Sequence, residues 1–244
     1  MRSFNKIFVI ALPRCATVSV SEALGILGIR TAHLGRIYGE QTGEHNDPVR
    51  LARMLEQLQQ GDYQLDLLNE CDGLADYPAC CRDVIEGLDR EYSDSLFINV
   101  RRDGDLQRWL QSVERQFVGL RMVKAAVQAS VEEKQFMQVM LRFREMTFGQ
   151  AEFDAEFYLR AYHDYQAHID DYFRGRSDDL LTIEDISQLE VEGFQQVCRF
   201  LDCAVPDESF PRSNQHSEKP YNAFMRALEE GTIVSQTGIR PVGC

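Results

Sequence analysis

Long hydrophobic runs and an excess of basic residues are both missing from this chain, and each absence excludes a class of protein. No stretch of the 244 residues approaches the ~18 apolar residues of a membrane span. The apolar run at residues 7–12 is too short for a secretory signal. With 26 Lys and Arg against 39 Asp and Glu, the net charge is −13. This balance argues against nucleic-acid partners and stable membrane association. We therefore expect a cytoplasmic protein.

Cysteine and histidine spacings typical of disulfide frameworks or metal sites are also missing. The seven cysteines are odd in number, Cys80 and Cys81 are adjacent, and no C-x-x-C pair occurs. Reduced thiols are the better interpretation of this pattern. His163 and His168 stand five residues apart, whereas two ligands on one helix face need a spacing of four. We expect no bound metal.

What the chain does contain is an alternation of short apolar runs with amphipathic segments. Continuous apolar runs rich in β-branched residues are typical of parallel strands buried on both faces. Alternation with helices predicts a three-layer α/β fold with a mostly parallel central sheet and helices on both faces. The predicted strands are residues 7–12, 29–33, 73–76, 96–100 and 180–183. The predicted helices are residues 19–27, 49–59, 78–90, 106–147 with a break near Gly119, 154–173, 191–201 and 222–230.

One domain accounts for most of the chain. The apolar fraction of 44% suits a single folded unit, and no repeat or linker interrupts it. We assign residues 1–214 to this domain and residues 215–244 to a C-terminal extension with one weak helix. Residues 1–38 carry five bases and one acid, so the remainder sums to −17. A basic N-terminal segment in an acidic protein suggests a small anionic ligand held near the N-terminus.

The turn between the first strand and the first helix is the most informative segment. A tight strand-to-helix turn directs backbone N–H groups and the positive helix end at one point, which is a geometry that binds phosphate. Arg14 would add a charge, and Thr17 and Ser19 would add hydroxyl donors. The turn is not a Walker A loop, because Ala16 and Thr17 stand where that motif has Gly-Lys. An ATP- or GTP-dependent small-molecule kinase is therefore disfavoured.

This turn resembles the 5′-phosphosulfate-binding loop of sulfotransferases that use 3′-phosphoadenosine 5′-phosphosulfate (PAPS). Pro13, Arg14 and Thr17 occupy matching places in that family's Pro-[Lys/Arg]-[Ser/Thr]-Gly-Thr-[Thr/Lys] turn. Ala16 stands where glycine is usual, and Val18 where a hydroxyl or lysine is usual. The segment is most similar to small bacterial sulfotransferase-like proteins with an LPRxGTxS-type loop. The resemblance implies a P-loop-like sulfotransferase fold and PAPS as co-substrate.

Further segments extend the resemblance over roughly residues 5–214. Residues 96–100, followed by Arg101 and Arg102, resemble the strand that enters the family's 3′-phosphate site, and Ser112 resembles the serine of that site. The spacing between these arginines and Ser112 does not decide whether Arg101 or Arg102 holds the 3′-phosphate. Residues 181–185 resemble the family's late strand, and residues 210–212 its closing loop. The implied co-substrate-binding residues are Pro13, Arg14, Cys15, Ala16, Thr17, Val18, Ser19, Arg101, Arg102, Ser112 and Arg212.

Sulfuryl transfer needs a group that stabilises the leaving oxygen and a base for the acceptor. Arg14 is the candidate for the first role. Asp76 is the first choice of base, because Asp76-Tyr77-Pro78 resembles the H-x-P setting of the base in cytosolic family members. An alternative role for Asp76 is N-capping of the helix predicted at residue 78. His33 is the competing base, since its ordinary pKa suits neutral pH.

The leading hypothesis is a PAPS-dependent sulfotransferase acting on the hydroxyl or amine of a small acceptor. A non-catalytic nucleotide-binding protein of the same fold is the alternative, and a kinase is the third. A homodimer is compatible with all three. Cys15 precedes a helix N-terminus and follows Arg14, so we predict a thiol with a lowered pKa inside the loop.

Overall fold

The computed structural model of the protein describes residues 1–39, 47–125, 131–213 and 218–240. Within these ranges a central sheet has the strand order β3-β2-β4-β1-β5-β6. Strands β2 and β3 pair antiparallel, and every other pairing is parallel. The strands are β1 (Ile7–Val9), β2 (Thr31–His33), β3 (Arg36–Ile37), β4 (Gly73–Ala75), β5 (Leu96–Val100) and β6 (Leu180–Ile183).

Burial of the strands explains why the predicted runs are continuous rather than alternating. Every residue of β1, β2, β4 and β5 is buried, although successive side chains along a strand point to opposite faces of the sheet. Both faces of these strands are therefore covered, as parallel sheets require. This arrangement confirms the predicted α/β fold with a mostly parallel central sheet.

Helices follow the strands at most of the predicted places. A 3₁₀ turn spans Asp66–Asn69. The α-helices are α1 (Thr17–Ile26), α2 (Pro48–Gln59), α3 (Arg82–Glu91), α4 (Leu106–Ala125), α5 (Val131–Phe148), α6 (Ala155–Tyr172), α7 (Gln188–Leu201) and α8 (Glu218–Glu229).

Local capping chemistry accounts for several helix ends. Asp47 caps α2, where its carboxylate accepts hydrogen bonds from the Val49 and Arg50 backbone N–H groups, and Pro48 occupies the first helical position. Asp154 caps α6 in the same manner. Gly28, with a φ of 81°, ends the α1 region in the left-handed conformation that glycine tolerates best.

Several bounds differ from the predicted elements: the segment predicted at residues 106–147 holds two helices, α4 and α5, while α7 begins at Gln188 and α8 at Glu218. The helix predicted from residue 78 begins at Arg82, because the backbone first makes a turn in which Cys80 N–H bonds to the Asp76 carbonyl. Helix α4 continues through Gly119 without a break. The short strand β3 was not predicted, since two residues carry no periodic signal. The sequence also predicts a polar loop at residues 39–47, and most of it lies outside the described residues.

The C-terminal extension packs on α4 by means of α8 and the segment after it. A Cβ atom at Gly119 would lie 2.1 Å from the Pro220 carbonyl oxygen, so the two helix backbones are in close contact there. The buried Glu114 carboxylate of α4 accepts hydrogen bonds from residues 235–237. Across the described ranges, no helix is both long enough and apolar enough to cross a membrane.

Candidate functional site

The carboxyl ends of the parallel strands bring the predicted site residues to one edge of the sheet. The chain runs from the central β1 to β2 and β4 on one side, and then to β5 and β6 on the other. Ligands of open α/β sheets bind outside the carboxyl ends, where the strand order reverses in this way. Arg14 follows β1, His33 ends β2, Asp76 follows β4, and Arg101 follows β5.

The loop between β1 and α1 is a strained and well-anchored turn. Arg14 and Ala16 both have positive φ values, 70° and 59°. Cys15 N–H bonds to the Leu12 carbonyl at 3.0 Å, and the indole N–H of Trp109 donates to the Pro13 carbonyl at 3.0 Å. The backbone at Ala16 is in the left-handed region, which glycine adopts more easily than alanine. This explains why similar loops have glycine at this position. The strain is held by hydrogen bonds from within the loop and from α4.

Arg14 lies in an electropositive environment. Its Nε donates to the Ser112 hydroxyl of α4 at 2.9 Å. Burial lowers the pKa of Arg14, the negative charge of Asp76 opposes this, and the positive charges of Arg102 and Arg115 lower it further. Two further guanidinium groups and one carboxylate therefore act on Arg14, and the net positive charge of these four groups favours an anion.

Thr17, His33 and Asp76 form one buried hydrogen-bonded cluster. The Thr17 hydroxyl donates to Asp76 Oδ2 at 2.8 Å. His33 Nε2 lies 3.1 Å from the Thr17 hydroxyl oxygen and 3.3 Å from Asp76 Oδ2. Each of the three residues is at most 6% exposed. The two candidate bases are thus neighbours, and both contact the first helical residue after the loop.

Asp76 does not cap a helix, so its alternative role from the sequence is wrong. Helix α3 begins at Arg82, and its N-cap position is Cys81. Asp76 instead has a φ of 63°, and its Oδ1 accepts from the Tyr77 N–H at 2.9 Å. Both carboxylate oxygens are therefore engaged at the sheet edge, one by the backbone and one by the Thr17 hydroxyl.

The predicted reactive thiol at Cys15 is also wrong. Cys15 is fully buried, and burial raises the pKa of its thiol to about 12. Arg102 and Arg14 do lower this pKa, as the sequence suggests, but desolvation outweighs both. A thiol protonated at neutral pH and shielded from solvent is no nucleophile.

Arg101 and Arg102 have different surroundings at the end of β5. Arg101 pairs with the carboxylates of Asp103, Asp170 and Glu184. Among the described residues, Arg102 Nε is buried and finds no hydrogen-bond partner. The Arg102 backbone N–H donates to the Tyr162 hydroxyl at 2.7 Å, which anchors this corner to α6.

The remaining predicted residues border the same edge less directly. The Ser19 hydroxyl accepts from the Ser213 N–H at 3.1 Å, so the chain after residue 211 lies on the start of α1. Arg212 pairs with Glu190 of α7 and is exposed. Val18 is half-buried. In the described part of the chain, no group of three or more His, Cys, Asp or Glu side chains has the arrangement of a metal site.

Sequence reasoning missed Trp109, Arg115 and Tyr162 as supports of the site. Each lies on a helix far along the chain from the loop that it supports or influences. The only signal for Trp109 was its place three residues before Ser112. An amphipathic helix pattern does not distinguish an aromatic residue that only fills the core from one that also donates a hydrogen bond to the loop.

Comparisons with known proteins identify a family for this chain. A family model described as "Sulfotransferase domain" matches residues 6–219. Fourteen solved chains are significantly similar. One of them, a sulfotransferase from Alicyclobacillus acidocaldarius, aligns with 13% identity and a TM-score of 0.46, over 94% of this chain and 96% of that one. No curated protein is similar to the chain at a significant level. The matched residues include all six strands and the whole loop between β1 and α1.

Proposed function

The chain belongs to the sulfotransferase domain family, and from that premise we propose that it transfers a sulfuryl group from PAPS to a small acceptor. In this reaction the acceptor hydroxyl or amine loses a proton and forms an S–O or S–N bond. The S–O bond to the 5′-phosphate breaks, and adenosine 3′,5′-bisphosphate leaves. The protein must therefore hold an anion, stabilise the leaving phosphate and accept a proton.

One observation carries the proposal: the anion-binding loop and the candidate bases contact each other. Thr17, the residue that follows the loop, donates its hydroxyl hydrogen bond to Asp76 at 2.8 Å, and His33 adjoins both. A proton acceptor is thus built into the immediate surroundings of the site where the transferred group would lie. General base catalysis requires this proximity before any question of pKa arises.

The residues at the loop fit a highly charged nucleotide. Arg14 and the backbone N–H groups at residues 16–19 would hold the 5′-phosphate side of PAPS, with Arg14 stabilising the leaving oxygen. Arg102 would hold the 3′-phosphate together with Ser112, because Arg101 is already paired with three carboxylates. The unpartnered Arg102 Nε, within the described residues, supports this choice. Arg212 would contribute at the rim of the site, where it is exposed.

Ligand-dependent stabilisation tests the donor. Thermal shift should show stabilisation by adenosine 3′,5′-bisphosphate of about 2.7 kcal/mol at 100 times its Kd. ATP should stabilise the protein far less, because the loop carries no lysine. Incubation with ³⁵S-labelled PAPS and mixed phenols, alcohols and amines then tests turnover. Binding without turnover would favour a nucleotide-binding protein, and preference for ATP would favour a kinase.

Substitution of Arg14 tests the loop itself. Arg14→Ala should lower turnover by about two to three orders of magnitude, because a donor aimed at a developing oxyanion is worth about 2.7–4 kcal/mol of barrier. The matched control is Arg53→Ala on α2, an exposed arginine whose ion pairs lie on the surface. Equal turnover of the two variants would remove Arg14 from the mechanism.

A further inference from the structure

Arg144 is a buried cation that the proposed transfer reaction does not use. It lies on α5 with only 2% of its surface exposed, and its guanidinium stacks on the Phe117 ring of α4, with 3.7 Å between Cζ and the ring centroid. Arginine is almost never buried to this degree without an ionic partner, since an unpaired buried charge costs several kcal/mol. The position is therefore costly unless the charge serves a purpose.

The two unpartnered nitrogens of Arg144 share one edge of the guanidinium. Nε and Nη2 are buried, and neither has a hydrogen-bond partner among the residues that the structure describes. The N–H groups of Nε and Nη2 point in parallel, which is the fork that binds both oxygens of a carboxylate. The shape of the unsatisfied edge thus selects a planar anion with two oxygens.

Among the described residues, the side chains near Arg144 do not supply that anion. Glu152 lies within electrostatic range of Arg144, but it is exposed and accepts from Arg121 at 2.5 Å. The Tyr158 hydroxyl lies within the same range and donates to the Gln150 carbonyl at 3.1 Å. Within the part of the chain that the structure describes, the Nε/Nη2 edge of Arg144 therefore has no anionic partner.

Tyr77 connects this cation to the candidate base. It follows Asp76 directly, and its ring stacks on Phe143 with centroids 5.7 Å apart and planes 11° apart. Its hydroxyl is buried, has no partner within the described ranges and lies in electrostatic range of Arg144. A further buried donor without a partner among the described residues is therefore present on the residue adjoining the base, within electrostatic range of Arg144.

Helix α4 connects the same cation to the co-substrate side. Phe117, which carries the stacked guanidinium, is five residues after Ser112, whose hydroxyl accepts from Arg14. Arg144 is thus held between the segment that bears Asp76 and the helix that bears Ser112. The rings of Tyr77, Phe117 and Phe143 give its surroundings an apolar, aromatic character.

We propose that Arg144 and Tyr77 form the carboxylate subsite of the acceptor, so that the substrate is a small aromatic or apolar hydroxy acid. The proposal rests on the proposed function, because it names the acceptor of the same transfer. The carboxylate binds the Nε/Nη2 edge and the Tyr77 hydroxyl, the apolar stem contacts the surrounding rings, and the acceptor hydroxyl extends toward Asp76.

Matched pairs of acids and esters test this assignment by binding. The probes are 4-hydroxybenzoate, 4-hydroxyphenylacetate, 3-(4-hydroxyphenyl)propionate and 3-hydroxybutyrate, each beside its methyl ester, with affinity measured by calorimetry in saturating adenosine 3′,5′-bisphosphate. At least one acid should bind the wild type more tightly than its ester. Arg144→Met should weaken that acid by at least about thirtyfold, the size expected when a buried charge pair loses one partner. It should leave the ester unaffected.

Three further variants control the experiment. Arg142→Met removes an exposed arginine of the same helix and should change nothing. Tyr77→Phe removes only the hydroxyl, and Arg144→Lys removes only the paired N–H groups. Each should weaken binding of the acid while leaving binding of its ester unchanged. Both variants keep the test valid if Arg144→Met does not fold. If no acid binds better than its ester, or if the preference survives in all three site variants, the subsite is wrong.

The bisphosphate arm separates this proposal from the donor proposal. Adenosine 3′,5′-bisphosphate alone should stabilise the wild type and the Arg144 variants equally. The opposite outcome is that adenosine 3′,5′-bisphosphate binds neither the wild type nor any variant. If the wild type still prefers an acid over its ester without the bisphosphate, and Arg144→Met loses that preference, the donor assignment fails and the carboxylate subsite stands.

Discussion

At the scale of single residues, the carboxylate of Asp76 has the most demanding surroundings in the site. One oxygen accepts from the Tyr77 N–H, the other accepts from the Thr17 hydroxyl, and His33 Nε2 lies 3.3 Å away. The backbone of Asp76 is itself in the left-handed region, which L-residues adopt at a cost of about 1–2 kcal/mol. Strain of this kind persists only where the surrounding contacts hold it, and it clusters at functional sites.

Substitution of the two candidate bases distinguishes their roles. Asp76→Asn keeps the side-chain shape but cannot accept a proton, so turnover should fall by about 10²–10⁴-fold while bisphosphate affinity stays nearly unchanged. His33→Ala should reduce turnover less, because His33 then only orients Asp76. The control is His163→Ala, an exposed histidine on α6. If His33→Ala gives the large fall and Asp76→Asn does not, His33 is the base.

The buried thiol of Cys15 predicts how stability responds to alkaline pH. Its pKa rises from an ordinary value of 9.0 to about 12 on folding, so the native state holds the proton more tightly than the unfolded state. The stabilisation is complete below pH 9 and is lost as the pH rises toward 12, by about 1.4 kcal/mol per pH unit.

Urea unfolding of the wild type and Cys15→Ala from pH 6 to 11 measures this contribution. Between pH 6 and 8 the two free energies of unfolding should differ by a constant. Above pH 9 the wild type should lose stability more steeply, since only it must keep this thiol protonated. Parallel curves over the whole range would mean that Cys15 is not buried in this way.

At the scale of elements, α4 connects the site to the rest of the protein. Its first half carries Trp109 and Ser112, which anchor the Pro13 carbonyl and Arg14. Its middle carries Glu114, Phe117 and Gly119, which contact the C-terminal segment, Arg144 and α8 respectively. Any shift of α4 along its axis would therefore move the loop, the anion-binding arginine and the extension together.

Gly119→Ala tests the close contact between α4 and α8. The new Cβ would lie 2.1 Å from the Pro220 carbonyl oxygen, so one helix backbone must move. Overpacking of this kind costs about 1–3 kcal/mol, which exceeds the gain of about 1 kcal/mol in helix propensity. We therefore expect Gly119→Ala to have a lower Tm than the wild type. The control is Arg108→Ala, an exposed position on the same helix, whose free energy of unfolding should stay within about 0.5 kcal/mol of the wild type. A Tm at or above that of the wild type would contradict the contact.

At the scale of the whole molecule, the C-terminal extension is part of the folded unit. Residues 231–240 follow α8, and their backbone and hydroxyl donors at residues 235–237 converge on the buried Glu114. Gln107 and Gln111 of the same helix donate to the Thr237 carbonyl, at 2.9 Å and 3.4 Å. The extension therefore holds α4 from the side opposite to the sheet-edge loop that α4 anchors.

Glu114→Ala should release this segment. The variant removes the acceptor of four hydrogen bonds to a charged group, and each such bond contributes about 1.5–3 kcal/mol before the released segment regains entropy. Hydrogen exchange at the Gln236 and Thr237 amides should accelerate by more than tenfold, while β1 and β5 stay protected. Glu145→Ala, an exposed carboxylate on α5, is the control. Unchanged protection at both amides would show that Glu114 does not hold the extension.

The sequence alone determined the fold class and most of the helices and strands. These follow from short-range physics: continuous apolar runs mark strands covered on both faces, and Asp47-Pro48 and Gly28 mark helix ends through local hydrogen bonds and φ preferences. The sequence also placed Arg14, His33 and Asp76 at or just after the ends of predicted strands, whereas the strand order that brings these ends to one edge is seen only in the structure.

Only the tertiary structure decided how those residues are used. Cys15 follows an arginine and precedes a helix, which predicts a thiolate, yet burial by distant segments keeps it protonated. Asp76 reads locally as a helix cap and instead meets Thr17, which is 59 residues away in sequence. The sequence does not distinguish Arg144 from the other arginines on helices, and only the packing of α4 and the Tyr77 segment around it shows that it is buried. Desolvation and pairing are set by neighbours from other segments, so a pattern within one segment does not determine them.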